Sequence, residues 1–591
     1  MRRLVLWASL ISSFPCLLAI LVLPAPAAAS SAPVSVFPIP GAHVASPQTQ
    51  IAFRGVPLAH LGGISVRGSR SGAHTGKIVG DSDRRGGSFE PAKPFTPGEV
   101  VTVSTGLNVL GATRGSFEFT VITPAGAIPY RPPGLASRVR GDVLRFRSRP
   151  DLAPAAVSVT KQSRQAAPGD IFLGPQQGPL QAGPMILDPS GGLIWFDPRR
   201  NRDLATDIRV QSYRGKPVLT WWQGYFAAGV GIGEDVIDDT SYHSTIMHAA
   251  NGLSSDLHEF EITPHGTALI TAYYPVYADA SSLHGSKRQI VLDAVVQEID
   301  IPTGLVLFQW DSLDHVPLTD SDVPLPGSTK LPFDYFHINS VEPDHDGNLV
   351  ISSRNTWAAY KVDHRTGAVI WRLGGKHSSF KLGPGASFAF QHDVRVRANN
   401  DLFVTLFDDG AGPPTIHSQS RGLKLILDLK HLTARRVAQH EHAPPLLANF
   451  EGNFQQLANR DDFIGWGQQP YFTEYDPAGK LIFDGRFVGA NSSYRAYRFP
   501  WSATPTTLPA VATSKSSNYT NVYVSWNGAT NVSGWRVLGG SSSRALKRIR
   551  AVRKTGFETA TSFRGTEAFV AVQALDSKGR TLRTSDTLAP R

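Results

Sequence analysis

The chain has 591 residues, which is too long for one hydrophobic core and predicts two to four domains. With 41% hydrophobic and 18% charged residues, its composition excludes wholesale disorder. The formal net charge of +10 mildly favours anionic ligands, but the basic residues form no nucleic-acid recognition motif, so we expect no nucleic-acid partner.

Residues 1–29 have the features of a secretory signal peptide. Arg2 and Arg3 are followed by an apolar stretch, and residues 27–29 are three alanines that suit a cleavage site. An uncleaved membrane anchor is the alternative, because the apolar run is long. We therefore predict that the protein is secreted or extracytoplasmic. The single cysteine, Cys16, falls inside this segment, so the mature chain has no disulfide and no cysteine-ligated metal.

Residues 30–125 are predicted to form an N-terminal β-sandwich. Short runs of alternating hydrophobicity, such as VSVFPI, QIAFRG and SFEFTVITP, are separated by turn residues. The stretch PAGAIPYRPPG then predicts a linker, which we place at residues 126–164.

Residues 165–500 contain a repeated strand–turn–strand pattern. Examples are ILDPSGGLIWF, VEPDHDGNLVIS and EYDPAGKLIF, where each turn closes on a glycine. Glycine supplies the positive φ that such hairpin turns need. Antiparallel hairpins repeated over this length, at roughly 50–60 residues for each unit, predict a β-propeller of about six blades. A pair of large β-sandwiches is the alternative.

Residues 501–591 are predicted to form a second sandwich, similar to a fibronectin type III module. The runs VYVSWNG, SGWRVLGG and AFVAVQALDSKGR show the same pattern of short strands. The basic run at residues 544–554 is interpreted as a solvated strand face, and a cell-surface contact is one role open to this module. The predicted fold class is therefore all-β, a six-bladed β-propeller flanked by small β-sandwich domains.

Three histidines of the central segment occupy the same place in their repeats. His258, His337 and His392 each stand near the start of a first strand, shortly before its turn. In a propeller the first strands line the central channel, so equivalent residues converge at one mouth. Asn339 and Arg354 flank the strand–turn–strand unit of His337, and we expect both beside the same mouth.

These residue types suit a tetrahedral anion. The sequence shows three imidazoles, a guanidinium and a carboxamide, with no obvious carboxylate partner. Arginine presents a planar fork to sulfate or phosphate oxygens, and histidine can be nucleophile, acid or base near neutral pH. Three histidines could instead bind zinc, but close ligand pairs such as His-x-His are absent among these three, so we predict no metal.

Four stretches resemble a known family. DYFHINSVEPDHDGNLVISSR, AVIWRLGGKHSSF and FAFQHDVRV resemble the bacterial arylsulfotransferase (aryl-sulfate sulfotransferase) family, and DLHEFEITPHGTALITAYY resembles a more divergent branch. The motifs stand in the family's order within residues 165–500. The resemblance implies a six-bladed propeller that moves a sulfuryl group from a phenolic sulfate donor to a phenol acceptor. It implies no nucleotide donor and no cofactor.

The same motifs imply a role for each candidate residue. By resemblance, His392 is the nucleophile that becomes sulfated, and His258 is the acid or base on the phenol. His337, Asn339 and Arg354 correspond to the residues that bind the sulfate group. A sulfated histidine divides the transfer into two steps, which predicts ping-pong kinetics.

The sequence also sets limits on the resemblance. Asn355 follows Arg354 where the family leads us to expect histidine. Two other functions stay open: a non-catalytic propeller that binds sulfated or acidic glycans, and hydrolysis in which water replaces the phenol. Aromatic residues should sandwich the phenol ring, and the candidates are Trp221, Trp222, Tyr242 and Trp357.

Overall fold

The computed structural model describes residues 33–128, 137–177, 181–199, 203–227, 229–399 and 401–590. Within these ranges the chain forms 41 β-strands, and its helical segments are short turns at Leu58–His60, Ser281–Leu283, Ser312–His315 and Leu318–Asp320. The predicted all-β class is confirmed. The predicted signal peptide, residues 1–29, lies outside the described ranges. Among the described residues, no helix combines the length and the apolar character needed to cross a membrane.

The N-terminal strands form two antiparallel sheets. The strands are β1 (Ser35–Phe37), β2 (Ile51–Arg54), β3 (Ser65–Gly68), β4 (Gly72–His74), β5 (Gly76–Gly80), β6 (Gly86–Pro91), β7 (Val100–Ser104) and β8 (Ser116–Thr120). They are ordered β1-β2-β6-β5 and β4-β3-β7-β8. Both sheets contribute to one apolar core that includes Phe53, Val103 and Phe119.

The central region contains the next 26 strands. They are β9 (Val157–Gln162), β10 (Asp170–Pro175), β11 (Met185–Leu187), β12 (Leu193–Phe196), β13 (Leu204–Tyr213), β14 (Lys216–Ala227), β15 (Val230–Asp238), β16 (Ser244–Met247), β17 (Ser255–Ile262), β18 (Ala268–Ala278), β19 (Gln289–Ile299), β20 (Val306–Asp311), β21 (Ile338–Pro343), β22 (Leu349–Ser353), β23 (Ala358–Val362), β24 (Val369–Gly374), β25 (Lys381–Leu382), β26 (His392–Asn399), β27 (Asp401–Asp408), β28 (Arg421–Asp428), β29 (Thr433–His440), β30 (Asn453–Gln456), β31 (Asp462–Gly465), β32 (Tyr471–Tyr475), β33 (Leu481–Phe487) and β34 (Ser493–Phe499).

Most of these strands pair in antiparallel groups of four. Five groups are consecutive in the chain: β13–β16, β17–β20, β21–β24, β26–β29 and β30–β33. The first two of these are joined into one eight-stranded sheet by a single pairing between β15 and β17. A sixth group joins β10, β11 and β12 to the late strand β34. The first strands of the groups lie against one another in the order β13, β17, β21, β26, β30 and β34, and β34 contacts β13.

Part of the predicted linker is a strand. The segment 126–164 contains β9, which pairs antiparallel with β33, so the linker prediction is wrong for residues 157–162. The sequence VSVTKQ alternates apolar and polar residues, and β33 offers it an open strand edge. The central sheets therefore begin before the predicted boundary at residue 165. Residues 129–136 of the segment lie outside the described ranges.

The C-terminal strands form two further antiparallel sheets. The strands are β35 (Ala510–Ser516), β36 (Tyr519–Ser525), β37 (Gly534–Gly540), β38 (Lys547–Arg553), β39 (Glu558–Arg564), β40 (Phe569–Leu575) and β41 (Thr581–Thr584). They are ordered β35-β36-β39 and β38-β37-β40-β41 around a core that includes Trp526, Trp535 and Val572. The basic run forms β38, an edge strand whose basic side chains are exposed.

Three of the first strands, β13, β17 and β26, contain irregularities in their pairing with the next strand. The pairing register shifts near Asp207 in β13, near His258 in β17 and near Asp393 in β26. Asp207 and Asp393 have φ of 54° and 56°, in the left-handed region that is uncommon for such residues. Bulges of this kind re-aim side chains, so charged residues are directed to the interior at these positions.

Two buried arginines connect the first strands of five groups. Arg495 on β34 bonds Asp207 Oδ1 at 2.7 Å and Glu259 Oε2 at 3.2 Å. Arg395 on β26 bonds the same Glu259 oxygen at 2.7 Å. Arg495 Nη2 also donates to the carbonyl of Asn339 on β21 at 2.8 Å. Because this network is buried, losing one partner leaves an uncompensated charge in a low dielectric.

We predict that Arg495→Met lowers the free energy of unfolding of the central region by about 3–5 kcal/mol, because Asp207 and Glu259 lose a buried partner. Urea unfolding followed by tryptophan fluorescence measures the change. Arg435→Met is the control, since Arg435 is exposed on β29 and no carboxylate lies within 4.0 Å of it among the described residues. Equal effects of the two substitutions would contradict the importance of the network.

Candidate active site

The structure brings His258, His337 and His392 to one point. One ring nitrogen of each lies within 4.8 Å of the others, and the rings of His258 and His337 have centroids 4.9 Å apart with planes at 83°. The three side chains belong to buried residues, which are 3%, 9% and 1% exposed. Residues far apart in the chain therefore form one compact imidazole cluster.

The first strands position each imidazole. His258 lies within β17, His392 is the first residue of β26, and His337 directly precedes β21. His337 has a left-handed backbone with φ of 54°, and its carbonyl accepts the backbone N–H of Arg354 at 2.9 Å. This backbone bond fixes Arg354 at the end of β22 beside the histidine cluster.

Each imidazole is held by a carboxyl group. The pairs are His258 Nδ1 with Asp256 Oδ2 at 2.5 Å, His392 Nδ1 with Asp409 Oδ2 at 2.7 Å, and His337 Nδ1 with Asp334 Oδ2. The expectation of a cluster without carboxylate partners is therefore wrong. Such bonds fix the ring orientation and place the second nitrogen, Nε2, on the other side of the ring.

Two of these aspartates left a signal in the sequence, and one did not. Asp256 stands two residues before His258, and Asp334 stands three residues before His337, so each pair is local. Asp409 follows β27, and the antiparallel pairing of β26 with β27 brings it to His392. Only the strand pairing could have identified Asp409.

Burial keeps two of the imidazoles neutral. It lowers the pKa of His392 well below the usual 6.5, and the positive charge of Arg354 lowers it further. Burial also lowers the pKa of His337, although Asp334 opposes this effect. At pH 7 both rings are therefore uncharged, and donation from Nδ1 leaves an unprotonated Nε2 with its lone pair.

Arg354 brings a positive charge without a direct ion pair. Its Nη2 donates to the carbonyl of Asn449 at 2.7 Å, and its guanidinium lies 4.7 Å from the centroid of Phe390. In the described part of the chain no carboxylate oxygen lies within 4.0 Å of its nitrogens. Burial lowers the pKa of Arg354, since the charged form is partly desolvated. An incoming anion would relieve that cost.

Asn355, the residue that departs from the family pattern, has a structural task. Its Oδ1 accepts from Arg354 Nη1 at 2.8 Å, and its Nδ2 donates to the carbonyl of Asp334 at 2.6 Å. It therefore ties the guanidinium to the segment that orients His337.

Asn339 lies beneath the cluster. It is fully buried, and its Nδ2 donates to the carbonyl of Gln391 at 2.7 Å. Gln391 directly precedes His392, so this bond connects β21 to the start of β26. Asn339 thus braces the candidate nucleophile, and one N–H of its amide group is left for a ligand.

The aromatic residues predicted to hold a phenol ring lie elsewhere. Trp221 and Trp222 are 2% and 0% exposed and belong to apolar cores. Tyr242 stacks on Trp195 and donates to the carbonyl of Gly528 in the C-terminal region. These three predictions are wrong, because the two indoles fill apolar cores and the Tyr242 ring is engaged by Trp195 and Gly528.

Other aromatic rings adjoin the cluster. Tyr494 lies 5.5 Å from His258 and 6.4 Å from His392 between ring centroids, and Tyr273 lies 6.1 Å from His337. Trp357, the fourth predicted residue, packs on Phe390, which lies under Arg354. Sequence spacing gave no sign of Tyr273 or Tyr494.

Glu451 is a further neighbour that the sequence did not indicate. Its backbone N–H donates to His392 Nε2 at 3.3 Å, and it has a left-handed φ of 71°. Burial raises the pKa of its carboxyl group to about 8. The loop before β30 therefore closes one side of His392.

A family model matches most of the central region. The family model described as arylsulfotransferase (ASST) matches residues 209–488. The match includes all three clustered histidines, Asn339 and Arg354. A comparison with curated proteins gives no match.

A comparison with solved structures gives matches of low similarity. A protein of unknown function from Bacteroides caccae is 13% identical, with a TM-score of 0.35 over 56% of this chain and 98% of its own. The periplasmic gluconolactonase of Pseudomonas aeruginosa is 11% identical, with a TM-score of 0.30 over 71% and 96%. A catalytically inactive variant of virginiamycin B lyase from Staphylococcus aureus is 9% identical, with a TM-score of 0.25 over 58% and 83%.

These structural similarities are too low to bear on the reaction. The range matched by the family model contains the cluster and the four motifs. The resemblance to the arylsulfotransferase family is therefore confirmed for residues 209–488.

Proposed function

We propose that this protein is an exported arylsulfotransferase that moves a sulfuryl group from a phenolic sulfate ester to a phenol through a sulfated His392. The observation that carries the proposal is the meeting of three buried imidazoles beside a guanidinium that has no direct ion pair. The family match over the same residues supports the same chemistry. No nucleotide donor is needed, because a phenolate is itself a good leaving group.

The proposal includes a six-bladed β-propeller for the central region. Its support is the six antiparallel groups of four strands and the contacts that run from β13 through β30 to β34 and back to β13. Pairing of β34 with β10 joins the end of the region to its beginning. In this architecture the cluster lies at one mouth of the central channel.

In the first half-reaction His392 is the nucleophile. Its Nδ1 is bonded to Asp409, so the lone pair on Nε2 attacks sulfur. The N–S bond forms as the bond between sulfur and the phenolic oxygen breaks, and the electron pair leaves with the phenolate. The contact from the Glu451 N–H to His392 Nε2, which is long at 3.3 Å, is replaced by the bond to the sulfuryl group.

Arg354 and Asn339 donate to the sulfuryl oxygens, and His337 donates to the third oxygen in the form that is protonated at Nε2, which the bound anion favours. The guanidinium fork supplies charge and two parallel donors, which stabilise the negative charge that spreads over the oxygens in the transition state. Asn339 offers its remaining amide N–H. His337, oriented by Asp334, lies 4.9 Å from His258 between ring centroids and completes the polar wall.

His258 moves the proton. Asp256 accepts a hydrogen bond from its Nδ1, which stabilises a proton gained at Nε2. In the first half-reaction His258 begins as the imidazolium, protonated on both ring nitrogens, and gives its Nε2 proton to the departing phenolate, which leaves the ring neutral. In the second, it takes the proton of the incoming phenol, whose oxygen attacks sulfur while the N–S bond to His392 breaks.

The charge distribution favours catalysis over acidic-glycan binding by the central region. Residues 165–500 contain 27 Lys or Arg against 37 Asp or Glu, which opposes a polyanionic ligand. Residues 501–591 contain 13 basic against 4 acidic residues. A cell-surface contact therefore suits the C-terminal module, in keeping with export of the chain.

The proposed activity is tested by transfer from p-nitrophenyl sulfate to added phenol, followed by nitrophenol release. His392→Asn should lower the rate by at least about 10³-fold, because the covalent nucleophile is lost. His431→Asn is the matched control, since His431 is also bonded to an aspartate but is exposed. A folded wild type without release would contradict the proposal, and free sulfate formed without phenol would indicate hydrolysis.

The pH dependence follows from the lowered pKa of His392. Protonation removes the attacking lone pair, so kcat/KM should fall as the pH drops through the pKa in the folded enzyme. Because burial lowers that pKa, the acid limb should be centred below pH 6.5. A profile of kcat/KM against pH provides the measurement, and an acid limb centred above 6.5 would contradict a neutral buried nucleophile.

A further inference from the structure

The imidazole cluster presents lone pairs to a shared space. Nδ1 of each ring is engaged with an aspartate: Asp256, Asp334 or Asp409. In a neutral imidazole whose Nδ1–H donates, Nε2 carries no hydrogen and acts only as an acceptor. Ring nitrogens of the three residues lie within 4.8 Å of one another, and the donor described at this point is the Glu451 N–H, which makes a long contact of 3.3 Å to His392 Nε2. Facing lone pairs repel, and a cation removes that repulsion.

The arrangement matches the ligand shell of a transition metal. Three histidines are a known ligand set for zinc, with a fourth position left open. Metal-binding histidines almost always donate their other N–H to a carboxylate or carbonyl, as all three rings do here. Nitrogens bound about 2.0–2.1 Å from one tetrahedral ion lie roughly 3.3 Å apart. From separations of up to 4.8 Å, movements of about 1 Å would complete such a site.

The cluster adjoins carboxyl groups as well as cationic side chains. Three carboxyl groups contact the imidazoles, whereas the charges of Arg354 and Arg495 lower the pKa of His392 and oppose a cation there. A metal ion therefore has to gain more from the three nitrogen ligands than it loses to these two arginines. Metal binding displaces protons from its ligands and their partners, so the cation and protons compete for the same groups. Imidazole ligands prefer Zn²⁺, Cu²⁺, Ni²⁺ or Co²⁺ over Mg²⁺ or Ca²⁺, which require oxygen ligands.

We propose that His258, His337 and His392 form a three-histidine site for a divalent transition-metal cation such as Zn²⁺. The ion binds through Nε2 of each ring, and the aspartates hold the rings in position. Because the ion uses the lone pair of His392, it excludes the sulfuryl group. This last consequence rests on the proposed sulfuryl transfer, whereas metal binding itself does not.

The binding test uses the full chain and two probes. Zn²⁺ is titrated by calorimetry, and Co²⁺ is followed by its visible absorption, which is intense for four-coordinate sites. We expect one ion per chain, no comparable binding of Mg²⁺, and loss of saturable binding in both His258→Gln and His337→Gln. His431→Gln should bind as wild type does, because His431 is exposed and remote from the cluster.

A variant that keeps the three histidines but removes a carboxylate that orients one of them distinguishes a specific metal site from non-specific binding to histidines. Asp256→Asn should weaken Zn²⁺ binding by about 10–100-fold, since the orienting carboxylate is lost while the three ligands remain. Thermal melts of each variant confirm folding. Absence of one-to-one Zn²⁺ binding in folded wild type, or unchanged affinity in both histidine variants, would overturn the proposal.

The activity test separates this inference from the proposed function. If wild type transfers sulfuryl groups, Zn²⁺ should inhibit in competition with the donor, and a chelator should restore the rate. Saturable Zn²⁺ binding in an enzyme that it fails to inhibit would refute the exclusion step. If no transfer is found at all, the proposed function fails, and the titrations alone decide whether the metal site exists.

Discussion

The site depends on the buried network in which Arg495 and Arg395 share Glu259. Arg495 reaches Asp207 and Glu259 by ion pairs and Asn339 by its carbonyl, so one side chain contacts three first strands besides its own. Apolar packing between sheets is not directional and would tolerate small shifts. Charged hydrogen bonds have defined geometry, and in a buried position they are costly to break, so they fix how the strands stand relative to one another.

The residues of the arginine network and those of the imidazole cluster are close neighbours in the sequence. His258 directly precedes Glu259, and His392 directly precedes Asp393, whose carboxylate bonds Arg395 at 2.8 Å. The third histidine, His337, stands two residues before the Asn339 carbonyl that Arg495 binds. Each histidine is therefore within two residues of a group held by an arginine. The same bulged backbone that directs a charge to the interior also sets the position of an imidazole.

The sequence predicted the all-β class and the chemical residues of the cluster, but only part of their surroundings. Repeated hairpins and glycine turns indicated the strands, because turn chemistry is local. His258, His337 and His392 were identifiable from their equivalent places in the repeats and from the family motifs. Asp409, Tyr494 and Glu451 were not, because strand pairing and loop closure bring them to the site. The predictions for Trp221 and Trp222 failed because an indole in a strand more often fills a core than a binding site.

The central claim is that His392 carries the sulfuryl group between donor and acceptor. Its most direct test is intact-mass and peptide mass spectrometry after mixing the protein with p-nitrophenyl sulfate and no phenol. The account predicts one added sulfuryl group, located on His392, that is discharged when phenol is added and is absent in His392→Asn. Turnover without any protein adduct, or an adduct on another residue that phenol discharges, would contradict it.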